Sequence, residues 1–378
     1  MLDPVLEWIS RLFGKFKNWL AVLGRASMAP FRAINALYRK SGWIIRGAIC
    51  VALLPVVFGY GHFIWHSLWI RDYNLDYTDK LRITNLAGAS DEPVAVQGGQ
   101  GGTKTCGRSN IVTVIADLID LNVNRNNWMS SHPMYKAGIF WALTWDQTWF
   151  FDNKAAFQRG VHHAASRTAI ELADSLGRTR GTSEIDKDLQ VAKGNIQFDQ
   201  FTWYFNVSGR QPFGPTTRTP SYYRSARKSL QRYNERLANC SATYDARADN
   251  LLQFFDRIAN DIGSASATIK DRSEQYNSGW FDTRADDIFW FSQGQLYAYY
   301  GILRATRADF ADVVKSRGLD DIWDRMDKQL RSAAELDPLV VSNGNEDGLL
   351  MPTHLTTLGF YILRVRANLV EIRSILDR

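Results

Sequence analysis

GAICVALLPVVFGYGHFIWHSLWI, residues 47 to 70, holds no Asp, Glu, Lys or Arg and is bracketed by Arg46 and Arg71. At about 1.5 Å per residue a helix of this length spans roughly 36 Å, enough for a hydrocarbon core about 30 Å thick. Trp43 before the run and Trp65 and Trp69 near its end sit where interfacial aromatic belts form. Pro55 lies mid-run, placed to kink the helix. A secretory signal has an apolar core of about 7–15 residues close to the chain start. This run is longer, follows a 46-residue tail and leads into Arg71-Asp72-Tyr73-Asn74 rather than a small-residue cleavage site. A buried helix of a soluble core is the other alternative, and the flanking tryptophans favour a membrane span.

Charge orients the span. Residues 1–46 carry eight basic side chains (Arg11, Lys15, Lys17, Arg25, Arg32, Arg39, Lys40, Arg46) against Asp3 and Glu7, which accounts for the whole formal charge of +6. Lys and Arg are retained on the cytoplasmic side, so the N-terminus is expected inside and the residues after Arg71 outside. An excess of positive charge confined to a membrane flank argues against nucleic acid as a partner. The tail has its own pattern. Leu2, Val5, Leu6, Ile9, Leu12, Phe13, Phe16, Trp19, Leu20 and Leu23 recur at three- and four-residue steps, opposite Arg11, Lys15 and Asn18. That predicts an amphipathic helix lying on the anionic leaflet, or docking on a cytoplasmic partner.

Beyond the span, residues 71–108 read as a connector, with Gly98-Gly99-Gln100-Gly101-Gly102 as a flexible spacer. Lys104-Thr105 follows, but Thr103 stands where a phosphate-binding loop needs glycine. From Ser109 onward the apolar period is helical. The expected helices are Ile111–Leu121, Tyr135–Thr148, Asn153–Leu176, Tyr222–Asn239, Ala248–Ile262, Asp286–Ala305, Phe310–Gly318, Asp320–Leu336 and Thr353–Leu376. Segment 178–221, broken by four glycines and three prolines, reads as a long excursion between two helical halves. The fold class is therefore all-α: an N-terminal amphipathic helix, one transmembrane helix, then a multi-helix soluble domain. Its divisions are a basic tail 1–46, a span 47–70, a connector 71–108 and a helical domain 109–378.

Cys50 lies in the span, while Cys106 and Cys240 both fall on the expected outer side, where a disulfide can persist. Two free thiols are an equal alternative on sequence grounds. For chemistry, Asp245-Ala-Arg247-Ala-Asp249-Asn250 recurs as Asp282-Thr-Arg284-Ala-Asp286-Asp287, each copy opening an apolar helix. Carboxylates there serve first as helix-terminal charges, with each Arg tying a cap to its neighbour. The functional alternative is an acidic pocket for a hard cation or for acid–base work. Asn343-Gly-Asn-Glu-Asp347-Gly, followed by Pro352-Thr-His354, is a turn that could serve as a cation loop but lacks the spacing of the helix–loop–helix calcium site. The weak metal candidates are thus Asp249, Asp286, Asp287, Asp347 and His354. Adjacent His162 and His163 point about 100° apart on a helix and lack the i, i+4 spacing of zinc hydrolases. His62 and His66 have that spacing, but on the span. Trp141, Trp145 and Trp149, at steps of four, form a core stripe or a sugar platform. No Ser-His-Asp or Cys-His set can be argued from spacing, no cofactor is implied, and whether the chain is an enzyme stays open.

Several segments together resemble a family. Phe157-Gln-Arg-Gly160-Val161, the Arg247–Asn250 and Arg284–Asp287 helix starts, and the ending Asn343-Gly…Asp347-Gly…Pro352-Thr-His354-Leu…Gly359-Phe-Tyr-Ile-Leu-Arg364 are similar to an uncharacterised bacterial domain-of-unknown-function group of inner-membrane-anchored proteins. The likeness covers roughly residues 45–378. It implies a Gram-negative envelope setting and a helical domain, and brings no activity, ligand or catalytic residue. The expected function is an envelope scaffold that binds other membrane or envelope proteins beside the lipid bilayer. The alternatives are a periplasmic enzyme acting on glycan or peptide through Asp249, Asp286, Asp287 and His354, and a sensor of a ligand or cation.

Overall fold

The computed structural model describes residues 32–68, 73–83, 106–139, 143–145, 148, 150–178, 184–205, 214–276, 282–344 and 353–378. Their helices are α1 (residues 32–40), α2 (Trp43–Leu68), α3 (Tyr77–Lys80), α4 (Asn110–Asp120), α5 (Pro133–Ala137), α6 (Asn153–Glu171), α7 (Lys187–Ile196), α8 (Thr219–Ala238), α9 (Ala248–Gln275), α10 (Ala285–Asp309), α11 (Ala311–Ser316), α12 (Asp320–Ala334) and α13 (His354–Leu376). Among the described residues there is no strand, only isolated bridges such as Phe205 with Pro215 and Asn343 with Thr353. The chain is all-α. The expected tail helix, Trp69, Arg71 and Asp347 lie outside the described residues.

Two compact units are present, Met1–His62 and Phe63–Arg378. In the first, α2 runs past Pro55 without interruption, and the apolar window of its Trp43–Ser67 segment is long and apolar enough to cross a membrane with none of it buried. Arg46 at its start donates to the carbonyls of Tyr38 (2.9 Å) and Arg39 (3.1 Å), ending α1.

The second unit begins with the last turns of α2. Phe63 is fully buried, 4.7 Å from the Trp145 ring and 5.5 Å from His132, and Lys154 Nζ donates to the His66 carbonyl at 2.6 Å. Trp65 is exposed. At the centre of this unit stands α10, buried on nearly every face and packed against α4, α6 and α12. Such a helix buries apolar and small residues on most faces, and the polar ones it carries, such as Gln293, Gln295 and Asp309, are hydrogen-bonded inside. Gly294 lets the Phe157 carbonyl of α6 approach, and Gly160 of α6 accepts Phe291 of α10 in the same way, so the two backbones cross in contact. The N-terminus of α4 is held by a fully buried carboxyl group. Asp309 accepts from Ser109 Oγ (2.6 Å), the amides of Asn110 (2.8 Å) and Ile111 (3.1 Å), Asn110 Nδ2 (2.7 Å) and Tyr244 Oη (3.1 Å). Cys106 and Cys240 are joined by a disulfide across a separation of 134 residues.

Four readings of the sequence are corrected. Tyr135–Thr148 is not a helix: α5 ends at Ala137, and Gly138 takes φ +60°, where a Cβ would strike the Leu143 carbonyl. The chain then turns back through an Ile139–Leu143 bridge. Trp145 is therefore no part of a helical stripe. It is buried against Phe63 and Phe151 and donates to the Met134 carbonyl at 2.9 Å, while Trp141 and Trp149 lie outside the described residues. Second, segment 178–221 contains α7. Asp186 caps it through the amides of Asp188 and Leu189, and Leu189, Ala192 and Ile196 are buried where it packs on α8. Third, α9 continues thirteen residues past Ile262, to Gln275, since Ser-Ala-Ser-Ala-Thr tolerates helix and Ile269 still finds the core. Fourth, the first part of the connector is no spacer. Tyr73 Oη donates to Asn122 Oδ1 (2.6 Å), Tyr297 Oη to the Asn74 carbonyl (3.0 Å), and Tyr77 stacks on Tyr297 (4.9 Å), so Tyr77 enters the core and Tyr73, Leu75, Leu81 and Ile83 pack against it.

Candidate functional site

Polar side chains recur every four residues along one face of α6: Arg159, His163, Arg167 and Glu171. On a helix that period makes a straight stripe. On α9, Arg257, Asp261, Ser264 and Thr268 form another, and Arg284, just before α10, with Asp287, Gln295 and Tyr299 on it, a third. The three stripes enclose an open cleft of about 690 Å³, with Phe254, Ile258, Ile288 and Phe291 as its apolar wall. That volume lies in the range of small-ligand sites.

Asp261 is its fixed point. One carboxylate oxygen accepts from His163 Nε2 at 2.7 Å, with Arg167 Nε at 3.9 Å. The other accepts from Tyr299 Oη at 2.6 Å and Gln295 Nε2 at 2.5 Å. Burial alone would raise this carboxyl. The hydrogen bond and charge of His163, with the bonds from Tyr299 and Gln295, outweigh it and hold Asp261 below the ordinary carboxylate value. Burial, and then the charge of Asp261, push the Tyr299 phenol well above its usual value, so it remains a donor. His163 is thereby oriented from below and exposed to the cleft above. Its neighbour His162 turns into the core, stacked on Tyr223 (4.2 Å) and edge-on to Trp128 (5.5 Å). Burial, and secondarily His163, push it down to about 3.

The two ends of the cleft are set by ion pairs. Arg159 meets Asp287 at 3.3 Å at one end, and Arg257 meets Glu171 at 3.5 Å at the other. Burial raises the Glu171 carboxyl. Among the described residues no hydroxyl or thiol is hydrogen-bonded to His163, so the nucleophile of a triad is not in place. The arrangement sets a hydrogen-bonded polar floor beside an apolar wall in an open cavity.

The residues singled out from the sequence are dispersed. Asp249 is exposed in the first turn of α9, 3.7 Å from Arg247. Asp287 lines the cleft. Asp286, one residue earlier, faces away and is 2% exposed, and neither of its oxygens makes a well-formed hydrogen bond. Burial, and next the charge of Asp287, raise it to about 8. His354 Nδ1 accepts from the Ser342 amide at 3.0 Å, and burial lowers its imidazole. Among the described residues no three His, Cys, Asp or Glu side chains gather as a metal-ligand set. The first members of the repeated motif serve structure. Asp245 is held by its own Arg247 (2.8 Å), whereas Asp282 is held by Arg272 and by Asn343 Nδ2 (3.0 Å) and accepts from the Arg284 amide (3.2 Å). His163 was singled out in the sequence but discounted as a zinc ligand, and its pairing with Asp261 was missed because the two lie 98 residues apart and meet only in three dimensions. The signal that could have found them is the four-residue polar step along α6.

Residues 143–279 and 265–378 match the family model described as an uncharacterized protein conserved in bacteria, DUF2333. No curated protein and no solved structure matches the chain. The matched residues include α6, α9 and α10, the three helices that build the cleft, and span more than half of the chain. The chain belongs to the DUF2333 family.

Proposed function

We propose that this chain is a bacterial inner-membrane protein whose helical domain lies in the periplasm and binds a small ligand in the His163–Asp261 cleft, as a receptor or sensor. The observation that carries the reading is the part-buried network on Asp261, in which His163, Gln295 and Tyr299 fix a carboxylate at the floor of an open cavity. Buried polar groups satisfied from three helices hold a site to one geometry, which is what ligand recognition requires. The membrane placement draws support from the uncharged span, from the +6 tail before it and from the Cys106–Cys240 bridge, a bond that persists outside the cytoplasm.

Full-length protein in zwitterionic nanodiscs, melted against a panel of small anions, cations and neutral compounds, tests the reading. Ser264→Trp, which fills the cleft from an exposed position on α9, is the control. Compounds that raise the Tm of the parent and not of the filled variant are the expected result. Failure of every compound, or equal shifts in both proteins, would overturn it.

An envelope scaffold is a second reading, favoured by one observation. Phe360, Leu363 and Val370 are exposed on one arc of α13, which offers an apolar face to a partner. Cross-linking from that arc, compared with a Phe360→Glu/Leu363→Glu variant, tests it. Loss of a specific adduct in the variant is expected, and an unchanged pattern removes the reading.

A further inference from the structure

Resting on the cleft being a ligand site, we infer that its ligand is an elongated molecule carrying an anionic group, carboxylate or phosphate, at each end, held by Arg284 at one end of the cleft and by Arg257 at the other.

The charge balance inside the cleft leads there. Arg159 is engaged by Asp287, and Asp261 accepts hydrogen bonds from His163, Tyr299 and Gln295 with Arg167 Nε 3.9 Å away. The lining carries four arginines, Arg159, Arg167, Arg257 and Arg284, against three carboxylates, Asp261, Asp287 and Glu171. The side chain of Arg257 is 71% exposed with its carboxylate partner at 3.5 Å, and that of Arg167 is 62% exposed. The guanidinium of Arg284 has no ion-pair or hydrogen-bond partner among the described residues. Arginine presents a planar fork that matches carboxylate and phosphate in two parallel hydrogen bonds, and a surplus of it along a cleft concentrates anions.

The spacing follows from α6. Arg284 shares the end marked by Arg159 and Asp287, three residues along its own chain, while Arg257 shares the end marked by Glu171. Arg159 and Glu171 are separated by about 18 Å at a rise of about 1.5 Å per residue. Between the ends lie His163 and Gln295 as polar contacts and Phe291 and Ile288 as an apolar wall. A compact anion would reach one end only. Tandem engagement of both ends makes the second contact intramolecular, so affinity rises steeply once the ligand is long enough.

The test uses full-length protein in zwitterionic nanodiscs and calorimetric titration with oligo(ethylene glycol) diacids of increasing spacer length. Monoacids and diamines of matched length run beside them. The expected result is a maximum in affinity at an end-to-end span near that of the cleft, at least tenfold tighter than the matched monoacid, with no binding of diamines. Arg284→Gln and Arg257→Gln, both at exposed positions, should each reduce the best diacid to the level of its monoacid while leaving the ligand-free Tm unchanged. Diacids that bind no better than monoacids at any length would overturn the two-ended assignment. Diamines or neutral compounds that bind the parent and not Ser264→Trp would overturn the anionic class while leaving the cleft a ligand site. A complete absence of binding, with Ser264→Trp indistinguishable from the parent, would overturn both.

Discussion

Replacing Asp286 by Asn removes a charge that the fold penalises. Asp286 stands in the first turn of α10 at 2% exposure, without a well-formed hydrogen bond, beside Asp287. In the folded chain its carboxyl is raised to about 8 from an ordinary value of 3.8, by burial first and the neighbouring charge second. Between about pH 4 and about pH 8 the unfolded chain therefore releases a proton that the native chain keeps. The native state binds more protons there, so stability falls as pH rises and levels off above the folded value. At pH 7 the gap spans roughly three pH units at 1.36 kcal/mol each, a penalty of about 4 kcal/mol.

Asn keeps the shape and is neutral at every pH, so the penalty and its slope vanish together. The assay is urea unfolding of the full chain in nanodiscs, followed by circular dichroism at intervals from pH 4.5 to 8.5, parent against Asp286→Asn. Near pH 4.5 the two should agree within about 1 kcal/mol, the cost of the new amide lacking a partner. By pH 8.5 the variant should be the more stable by about 4 kcal/mol, which in a domain of this size is roughly 10 °C in Tm. Taking the difference between the proteins cancels every other titrating group. A difference that does not change with pH, or a variant less stable at pH 8.5, would refute the argument that Asp286 is held neutral by burial.

Three other perturbations test the scaffold around the cleft. Gly160→Ala drives a Cβ into the backbone of α10 at Phe291 and Gln295, which cannot move aside as a side chain could; a loss of about 2–3 kcal/mol is expected in the same unfolding assay. Asp309→Ala leaves the N-terminus of α4 and the buried Ser109 and Tyr244 hydroxyls without their acceptor, and should cost about 3 kcal/mol or more. Cys106→Ser/Cys240→Ser opens a loop of 134 residues, for which chain entropy gives about 5 kcal/mol, and the parent should lose a similar amount on reduction while the double variant is insensitive to reductant.

The elements legible in the sequence were those whose signal is local. The uncharged run of α2, the apolar period of α6, α8, α12 and α13 and the acidic first turns of α9 and α10 each lie within one helix, and the structure contains all of them. Where the reading failed, a single residue outweighed the period. Gly138, in a conformation closed to other residues, ends α5 eleven residues before the expected stop, although the aromatics beyond it keep helical spacing. In α7 the apolar positions are only Leu189, Ala192 and Ile196, a signal that the surrounding glycines and prolines drowned.

The cleft shows the deeper reason that function was harder to read than fold. Asp245–Asn250 and Asp282–Asp287 are near copies, and a local argument must assign them one role. Tertiary partners divide them. Asp245 bonds back to its own Arg247, whereas in the second copy Arg272 and Asn343, from elsewhere in the chain, have taken over Asp282, and the Arg284 guanidinium has no ion-pair or hydrogen-bond partner among the described residues. An arginine released from its structural duty then stands at the mouth of a cleft whose floor is built by residues 98 positions apart. The motif was visible in the sequence, but whether its arginine was consumed or spare depended on which distant side chain reached the neighbouring aspartate, and no period or spacing carries that information.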